Sequence, residues 1–237
     1  ADLAPHERKR LSYFSRQIVD LMSPTNFLAT NPDALERAVA TEGESLIRGL
    51  ENLIADLEAN NGELVVRLAD ESAFELGRNI ATTPGKVVFR NKLFELIQYS
   101  PSTEKVDATP IVIFPPWINK FYILDLKEQN SLVKWIVDQG YTLFMVSWVK
   151  SATFFTALTD FSDQGEFQPF LTDDFIDGIE AETQDKGMLP SLIMARTFSF
   201  LRSNDLVYGP AIKSYMLGEA PPTFDLLYWN GDGANLP

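Results

Sequence analysis

The chain has 237 residues, 45% of them hydrophobic, and a formal net charge of −13. This length and hydrophobic content predict one or two domains with a sizeable core, and the acidic charge argues against binding to a nucleic-acid backbone. The absence of cysteine excludes a disulfide framework and a thiolate metal site within these residues. The single histidine, His6, lies in a polar terminal segment where we expect it to be solvated. No apolar run approaches the roughly 18 residues of a membrane span, so no transmembrane segment is predicted.

The first 80 residues predict a small helical domain. Apolar side chains recur at helical spacing in Leu11, Phe14, Ile18, Leu21 and Met22. We interpret this stripe as the core face of a helix, the alternative being a surface that docks on a partner or an apolar interface. Asn31-Pro32 predicts a second helix start. A further apolar stripe, Leu46, Leu50, Leu53 and Leu57, predicts a helix that ends at Asn60-Asn61-Gly62.

A strand pattern follows the helices, over residues 81–160. Val87–Phe89 and Leu93–Ile97 predict two paired strands joined through residues 90–92. Pro110–Phe114 and Tyr141–Val149 are short all-apolar runs, typical of strands that are covered on both faces.

A helix is predicted between these two apolar strands, over Ser131–Gln139, and Gly140 ends it. The order strand, helix, strand predicts a βαβ unit and hence a parallel sheet, with Ala152–Thr159 as a further strand. The chain is therefore predicted to belong to the α/β class.

Helical patterns return over residues 161–237. Thr172-Asp173-Asp174 predicts a helix start with acids in its first turn. Leu189–Leu201 and Tyr208–Leu217 are further predicted helices, the last capped by Gly218.

The Lys150–Ser151 junction is a physical problem for this sheet. Parallel neighbours need a crossover of about a dozen residues, whereas the junction offers two, and Lys-Ser lacks the residues that tight hairpins favour. The simplest interpretation is that a block of sequence is missing between Lys150 and Ser151, through engineering or through the joining of separate segments.

No assembled active site can be recognised in the residues alone. The G-x-S-x-G, Walker A, G-x-G-x-x-G and H-E-x-x-H motifs are absent, and one histidine without cysteine cannot form a Cys–His pair. We predict no metal site.

Four stretches are too specific to be generic: Thr82–Asn91 (TTPGKVVFRN), Leu96–Pro101 (LIQYSP), Phe114–Leu126 (FPPWINKFYILDL) and Phe224–Asn230 (FDLLYWN). They resemble polyhydroxyalkanoate synthases. The likeness runs from about Asn79 to Pro237, is looser before that, and is greatest to the class I type, which uses short-chain substrates.

The resemblance implies an incomplete α/β-hydrolase fold with a parallel-type sheet. It divides the chain into an N-terminal helical domain (1–80), a partial hydrolase core (81–160) and a mostly helical cap (161–237). It also implies transfer of (R)-3-hydroxyacyl groups from CoA thioesters to a growing polyester, through a cysteine activated by a histidine and an aspartate. No other cofactor is implied, because the CoA thioester is the substrate.

By the same resemblance, the block with the nucleophile is missing at the Lys150–Ser151 junction, and the family's catalytic aspartate and histidine lie beyond the position that matches Pro237. No triad residue can therefore be assigned, and Asp160, Asp232 and His6 are not substitutes. These 237 residues alone should be inactive.

Supporting residues can be assigned by analogy. The backbone N–H of Ile118 is the candidate oxyanion donor, and Trp117, Asn119, Lys120 and Tyr122 are expected to shape its loop, unless this is an ordinary strand exit. Trp229 and Asn230 are candidates for the substrate channel or a dimer contact; a packing anchor is the alternative for Trp229.

The expected partners follow from the same family. They are a 3-hydroxyacyl-CoA, the polyester chain or granule surface, a second subunit in a homodimer, and granule-associated proteins bound through residues 1–80. The expected location is the cytoplasm, on granules. One alternative is a catalytically inactive relative that binds granules or partners. A polyester depolymerase or hydrolase also fits the fold, but not the motifs around Pro115 and Trp229.

Overall fold

The computed structural model describes residues 3–115, 120–148, 169–170 and 172–233. The chain divides into two units. The described parts of the first unit are 3–68, 169–170, 172–181 and 196–222, and those of the second unit are 69–115, 120–148, 182–195 and 223–233. The predicted strand Ala152–Thr159 and the Lys150–Ser151 junction lie outside the described residues.

Three helices occupy the N-terminal region, as the sequence predicts. They are α1 (Pro5–Leu21), α2 (Pro32–Ala40) and α3 (Glu44–Ala59). Asn31 caps α2, because its side-chain oxygen accepts a hydrogen bond from the backbone N–H of Ala34 at 3.0 Å. The predicted end of α3 is also confirmed, since the backbone turns at Asn61 and Gly62, both with positive φ.

Helix α1 contradicts the interpretation of its apolar stripe as a core face. Leu11, Phe14, Ile18, Leu21 and Met22 are all exposed, by 43% to 63%. A neighbouring face is held instead, because Tyr13 Oη and Gln17 Nε2 donate to the carbonyl oxygen of Phe200 at 3.3 and 3.1 Å. Polar side chains with backbone partners therefore decide which face of α1 points inward.

Helix α3 packs through small and polar residues. Its buried positions are Ser45, Gly49 and Asp56, one residue out of step with the leucine stripe. Asn52, between them, donates its amide to the carbonyl oxygens of Ser214 at 3.1 Å and Glu219 at 3.0 Å. Among the described residues of the first unit, Ala34 and Pro169 are the apolar side chains in the buried class.

A four-stranded sheet forms the centre of the second unit. Its strands are β1 (Gly85–Arg90), β2 (Phe94–Tyr99), β3 (Ile111–Ile113) and β4 (Leu143–Trp148), and their order is β1-β2-β4-β3. β2 is antiparallel to both β1 and β4, whereas β3 and β4 are parallel. The described sheet is therefore mixed, and the predicted parallel pairing is confirmed for β3 and β4 alone.

The βαβ unit is confirmed. Helix α4 (Leu132–Asp138) crosses from β3 to β4, and Ser131 Oγ caps it by accepting a hydrogen bond from the N–H of Lys134 at 2.8 Å. Gly140 has a φ of 84°, a conformation that favours glycine and ends the helix. The core beneath the sheet consists of Tyr99, Val133, Ile136, Val137, Leu143 and Met145.

Helices dominate the described residues after 168. They are α5 (Asp173–Lys186), α6 (Ser191–Leu201), α7 (Gly209–Ala211) and α8 (Asp225–Gly231). Two π-helical turns, Asn204–Tyr208 and Ile212–Met216, flank α7, and α3 packs on the second. The sequence predicted an uninterrupted helix there, because the i→i+5 pattern of a π-turn leaves no separate signature in hydrophobic spacing.

Candidate functional site

The carboxyl ends of β3 and β4 meet at one edge of the sheet, where α/β proteins usually bind their ligands. Pro115 lies two residues beyond β3 and is buried, and Trp148 is the last residue of β4. The indole N–H of Trp148 donates to the carbonyl oxygen of Pro115 at 3.0 Å. This bond fixes the point at which the chain leaves β3.

Helix α8 fastens the segment Lys120–Lys127 through three contacts. The indole N–H of Trp229 donates to the carbonyl oxygen of Lys120 at 2.8 Å, and Tyr122 Oη donates to Asp232 Oδ2 at 2.5 Å. At the other end of α8, the ammonium of Lys127 lies 3.2 Å from the buried carboxylate of Asp225. Residues more than 90 positions apart in the sequence are thereby held together.

Tyr122 is the centre of this contact. It is completely buried in a cluster with Ile80 and Leu126. Trp229 and Tyr228 pack against the same cluster. Burial raises the pKa of the Tyr122 phenol well above its ordinary value, and the hydrogen bond to Asp232 raises it further. The Lys120 ammonium lies 3.9 Å from the other oxygen of Asp232, which places a cation beside this carboxylate.

Asp125 anchors the same segment to the start of the sheet. Its carboxylate is buried and accepts hydrogen bonds from Thr83 Oγ1 and Ser131 Oγ, each at 2.6 Å, and from the N–H of Thr83 at 3.1 Å. Asp125 therefore ties together the beginning of β1 and the N-terminal cap of α4.

Comparison with known families identifies the family to which this sequence belongs. The sequence profile described as poly-beta-hydroxybutyrate polymerase (PhaC) N-terminus matches residues 1–136, more than half of the chain. The chain belongs to the PhaC polymerase family.

Curated PhaC relatives match nearly the whole chain. It is 37% identical to the poly(3-hydroxyalkanoate) polymerase of Methylorubrum extorquens, covering 98% of this chain and 49% of the relative. It is 35% identical to the polymerase subunit of Rhizobium meliloti, covering 99% and 49%, and 37% identical to that of Cupriavidus necator, covering 97% and 50%. The chain thus spans about half the length of these relatives.

These alignments are longer than the chain itself. They extend over 294 to 297 positions, although the chain has 237 residues. Each PhaC relative therefore has residues inside the aligned region that have no counterpart here.

The predicted site residues of this PhaC chain fall into two groups. Trp117, Ile118 and Asn119 lie outside the described residues. Lys120 and Tyr122 are bound by α8 and its C-terminal cap. Trp229 and Asn230 lie on α8 and are half-buried, and the Trp229 indole donates to the Lys120 carbonyl.

Sequence reasoning did not assign roles to Trp148, Asp225 or Asp232 in this arrangement. Their partners are distant in sequence, and Asp232 lies in Asn230-Gly-Asp-Gly233, a pattern typical of a turn. The one available signal was the resemblance of the stretches 114–126 and 224–230 to the same family, which does not by itself predict a contact between them.

A separate cleft of 330 Å³ lies at the opposite end of the sheet. It is bordered by Thr82–Pro84, Ser100–Ser102, Glu128 and three residues of α4, Lys134, Val137 and Asp138. Because β2 is antiparallel to β4, the end of β2 at Tyr99 lies beside the beginning of β4, away from Trp148. This cleft therefore lies at the amino ends of the parallel strands.

Within the described residues, no group of three His, Asp or Glu side chains is arranged to hold a metal ion. The helices described here also include none that is long and apolar enough to cross a membrane.

Proposed function

We propose that the intact protein polymerises (R)-3-hydroxyacyl units from CoA thioesters into a polyhydroxyalkanoate and releases CoA. The observation that carries the proposal is the match of nearly the whole chain to poly(3-hydroxyalkanoate) polymerases of several bacteria. We further propose a class I enzyme that uses short-chain, 3-hydroxybutyryl-type units, on the basis of the resemblance of its motifs.

We also propose that the second unit is the first part of an α/β-hydrolase core. The βαβ unit, in which β3 is parallel to β4 and α4 lies between them, supports this, because α/β folds are built from such units. In that fold the loop after β3 supplies one oxyanion N–H. By the family resemblance, a helix and then the elbow with the nucleophile follow the strand that matches β4. The Lys150–Ser151 junction comes just after β4.

The proposed nucleophile is a cysteine in the residues that are missing at this junction. The relatives' additional aligned residues support a missing block, although they do not locate it. The proposed histidine and aspartate partners belong to the part of the relatives that this chain does not cover. The 237 residues alone are accordingly expected to be inactive.

The proposed chemistry is covalent acyl transfer. The cysteine thiolate forms a bond to the thioester carbonyl carbon, the oxyanion collapses, and the bond to the CoA sulfur breaks, so that CoA leaves as the thiol after taking a proton from the histidine. The hydroxyl of the growing chain then attacks the acyl carbon of the cysteine thioester and gives its proton to the histidine, and the acyl–sulfur bond breaks to regenerate the thiolate. Backbone N–H groups that face the developing oxyanion lower the barrier, and Ile118 is the proposed donor in this chain. Trp117, Asn119, Lys120 and Tyr122 are proposed to support its loop.

The partners are proposals of the same kind. Trp229 and Asn230 are proposed at the substrate channel or dimer contact, in a homodimer that works on granules in the cytoplasm. The exposed apolar stripe of α1, from Leu11 to Met22, supports docking of residues 1–80 on a granule surface or a granule-associated protein.

The function is tested with the purified full-length protein and (R)-3-hydroxybutyryl-CoA. We expect release of CoA, followed with a thiol reagent, together with polymer that sediments. Intact mass provides the control for the missing block, because these residues alone have a mass of 26.6 kDa and a full-length enzyme of the relatives' length should be about two and a half times as heavy.

An inactive relative that binds granules or partners is the competing function. It predicts a native polypeptide of 26.6 kDa and no CoA release. That pair of results would overturn the enzyme proposal.

A further inference from the structure

Helix α1 is held to the rest of the first unit through polar side chains. Tyr13 and Gln17 donate to the carbonyl oxygen of Phe200. One turn further along, Asp20 accepts a hydrogen bond from the hydroxyl of the buried Ser203 at 3.3 Å. No residue of α1 itself is buried. These bonds fix the rotation of the helix about its own axis and therefore the direction of its apolar stripe.

The apolar stripe lies on another side of α1. Seen along the helix axis at about 100° per residue, the five stripe residues from Leu11 to Met22 fall within an arc of about 100°. The three side chains with partners in the first unit, Tyr13, Gln17 and Asp20, fall outside this arc. An apolar arc of this width is typical of the face that a surface helix buries, but here every stripe residue is exposed.

Two arginines border the stripe. In the same projection, Arg8 lies just beyond the edge formed by Met22, and Arg10 lies just beyond the edge formed by Leu21. Both arginines are exposed. The Arg10 guanidinium is 5.9 Å from the ring centroid of Phe14, so this cation lies against the stripe itself.

The charge of α1 has the opposite sign to that of the chain. The helix carries four basic side chains against two acidic ones, in a chain whose net charge is −13. Of the two acids, Asp20 is bound by Ser203 away from the stripe. Glu7 lies in the first turn, where its carboxylate accepts the backbone N–H of Ala4 at 3.0 Å. The borders of the stripe are therefore cationic.

Helix α3 provides a contrast within the same unit. It also exposes apolar side chains, Ile47, Leu50 and Ile54. However, α3 carries one arginine against four acidic side chains. An anionic surface would attract α1 and repel α3, so charge distinguishes two helices that exposure does not.

We infer that α1 is an interfacial helix that docks the first unit on an anionic phospholipid surface. The stripe enters the acyl region, and Arg8 and Arg10 bind headgroup phosphates, because an arginine stem lies along apolar surface while its guanidinium binds phosphate. Uncoated polyester has neutral ester groups and would leave the two arginines without a counter-charge. The inference rests on the proposed docking role of residues 1–80 and not on the proposed reaction.

The test measures flotation of the full-length protein with vesicles that contain phosphatidylglycerol and phosphatidylcholine in equal amounts. We expect binding at least about tenfold tighter than to pure phosphatidylcholine, because each cation near an anionic surface strengthens binding about fivefold. The double variant Arg8→Gln/Arg10→Gln should lose most of this preference. Salt at about 1 M, which screens charges beyond about 3 Å, should have the same effect on the wild-type protein.

Ile18→Glu and Ile47→Glu form a matched pair for the stripe. The two isoleucines are 61% and 62% exposed, on α1 and α3 respectively. Ile18→Glu should weaken vesicle binding about 10- to 100-fold, because the transfer of an isoleucine side chain into the apolar layer is lost. Ile47→Glu should change binding by less than about twofold. Thermal unfolding checks that both variants fold, which is expected because neither isoleucine is buried.

Equal binding to the two kinds of vesicle, or equal losses in Ile18→Glu and Ile47→Glu, would overturn the inference. Binding to uncoated poly(3-hydroxybutyrate) particles and not to the anionic vesicles would also overturn it, and would assign the stripe to the polymer. Flotation needs no substrate. A full-length protein that binds the vesicles but releases no CoA would therefore retain this inference and reject the proposed reaction.

Discussion

Replacing Gly49 by alanine should separate α3 from the π-helical turn on which it packs. A Cβ at Gly49 would lie 2.0 Å from the carbonyl oxygen of Tyr215 and 2.6 Å from its carbonyl carbon. Both are backbone atoms, so no rotamer change relieves the overlap. The two segments must move apart by about 1 Å or more to reach ordinary contact distances.

The magnitude follows from the bonds that this movement breaks. Asn52 donates to the carbonyls of Ser214 and Glu219, and Tyr215 Oη donates to the buried carboxylate of Asp56 at 2.7 Å. Two neutral bonds at about 1 kcal/mol and one charged bond at about 2 kcal/mol give a loss of about 4 kcal/mol. Alanine returns about 1 kcal/mol of helix propensity, so we expect a net destabilisation of about 3 kcal/mol.

Gly178→Ala is the matched control. Gly178 lies exposed within α5, and an added Cβ there would meet nothing within 4 Å. The same substitution should therefore stabilise the protein by up to about 1 kcal/mol. Urea unfolding measures both, and Gly49→Ala should lower the midpoint by about 1 to 2 M. Equal or same-sign shifts for the two variants would refute the reasoning.

Three further predictions concern buried polar groups. Asp125→Ala leaves three donors from Thr83 and Ser131 without their acceptor and should lower the unfolding free energy, measured by urea titration, by about 3 kcal/mol; a loss below about 1 kcal/mol would contradict this. Folding raises the pKa of Tyr122, so the stabilisation that its neutral phenol provides is complete below pH 10 and is lost as the pH rises further. Tyr122→Phe should therefore make the fall of unfolding free energy with pH less steep, by about 1.4 kcal/mol per pH unit. An unchanged slope between about pH 10 and 11.5 would contradict the buried phenol. A double-mutant cycle of Asp56→Asn and Tyr215→Phe should give a coupling of about 1–2 kcal/mol, whereas additive effects would mean that their 2.7 Å bond contributes nothing.

The βαβ unit could be predicted because its signals are local. Two short apolar runs, a helix-length segment between them, the cap at Ser131 and the glycine at 140 are each defined by neighbouring residues. The antiparallel pairing of β2 with β4 could not be predicted in the same way, since that choice depends on how distant strands meet.

The inward faces of α1 and α3 could not be predicted from hydrophobic spacing. That spacing places a helix correctly, but here the inward positions are polar or small, with Gln17 and Asn52 bound to backbone carbonyls far along the chain. The candidate site has the same difficulty. The hydrogen-bond acceptors of Trp148 and Trp229 are backbone carbonyl oxygens. Every residue has such an oxygen, so the sequence does not indicate which one is used.

The polar interior of the first unit has a thermodynamic consequence. Heat capacity rises on unfolding mainly because apolar surface enters water, and exposure of polar groups lowers it. The described residues of this unit bury Asn31, Ser45, Asp56, Ser203 and Ser214, with Ala34 and Pro169 as their buried apolar side chains. Its unfolding should therefore show a small heat-capacity increment for its size, and its stability should follow a flatter temperature curve than that of the sheet-containing unit.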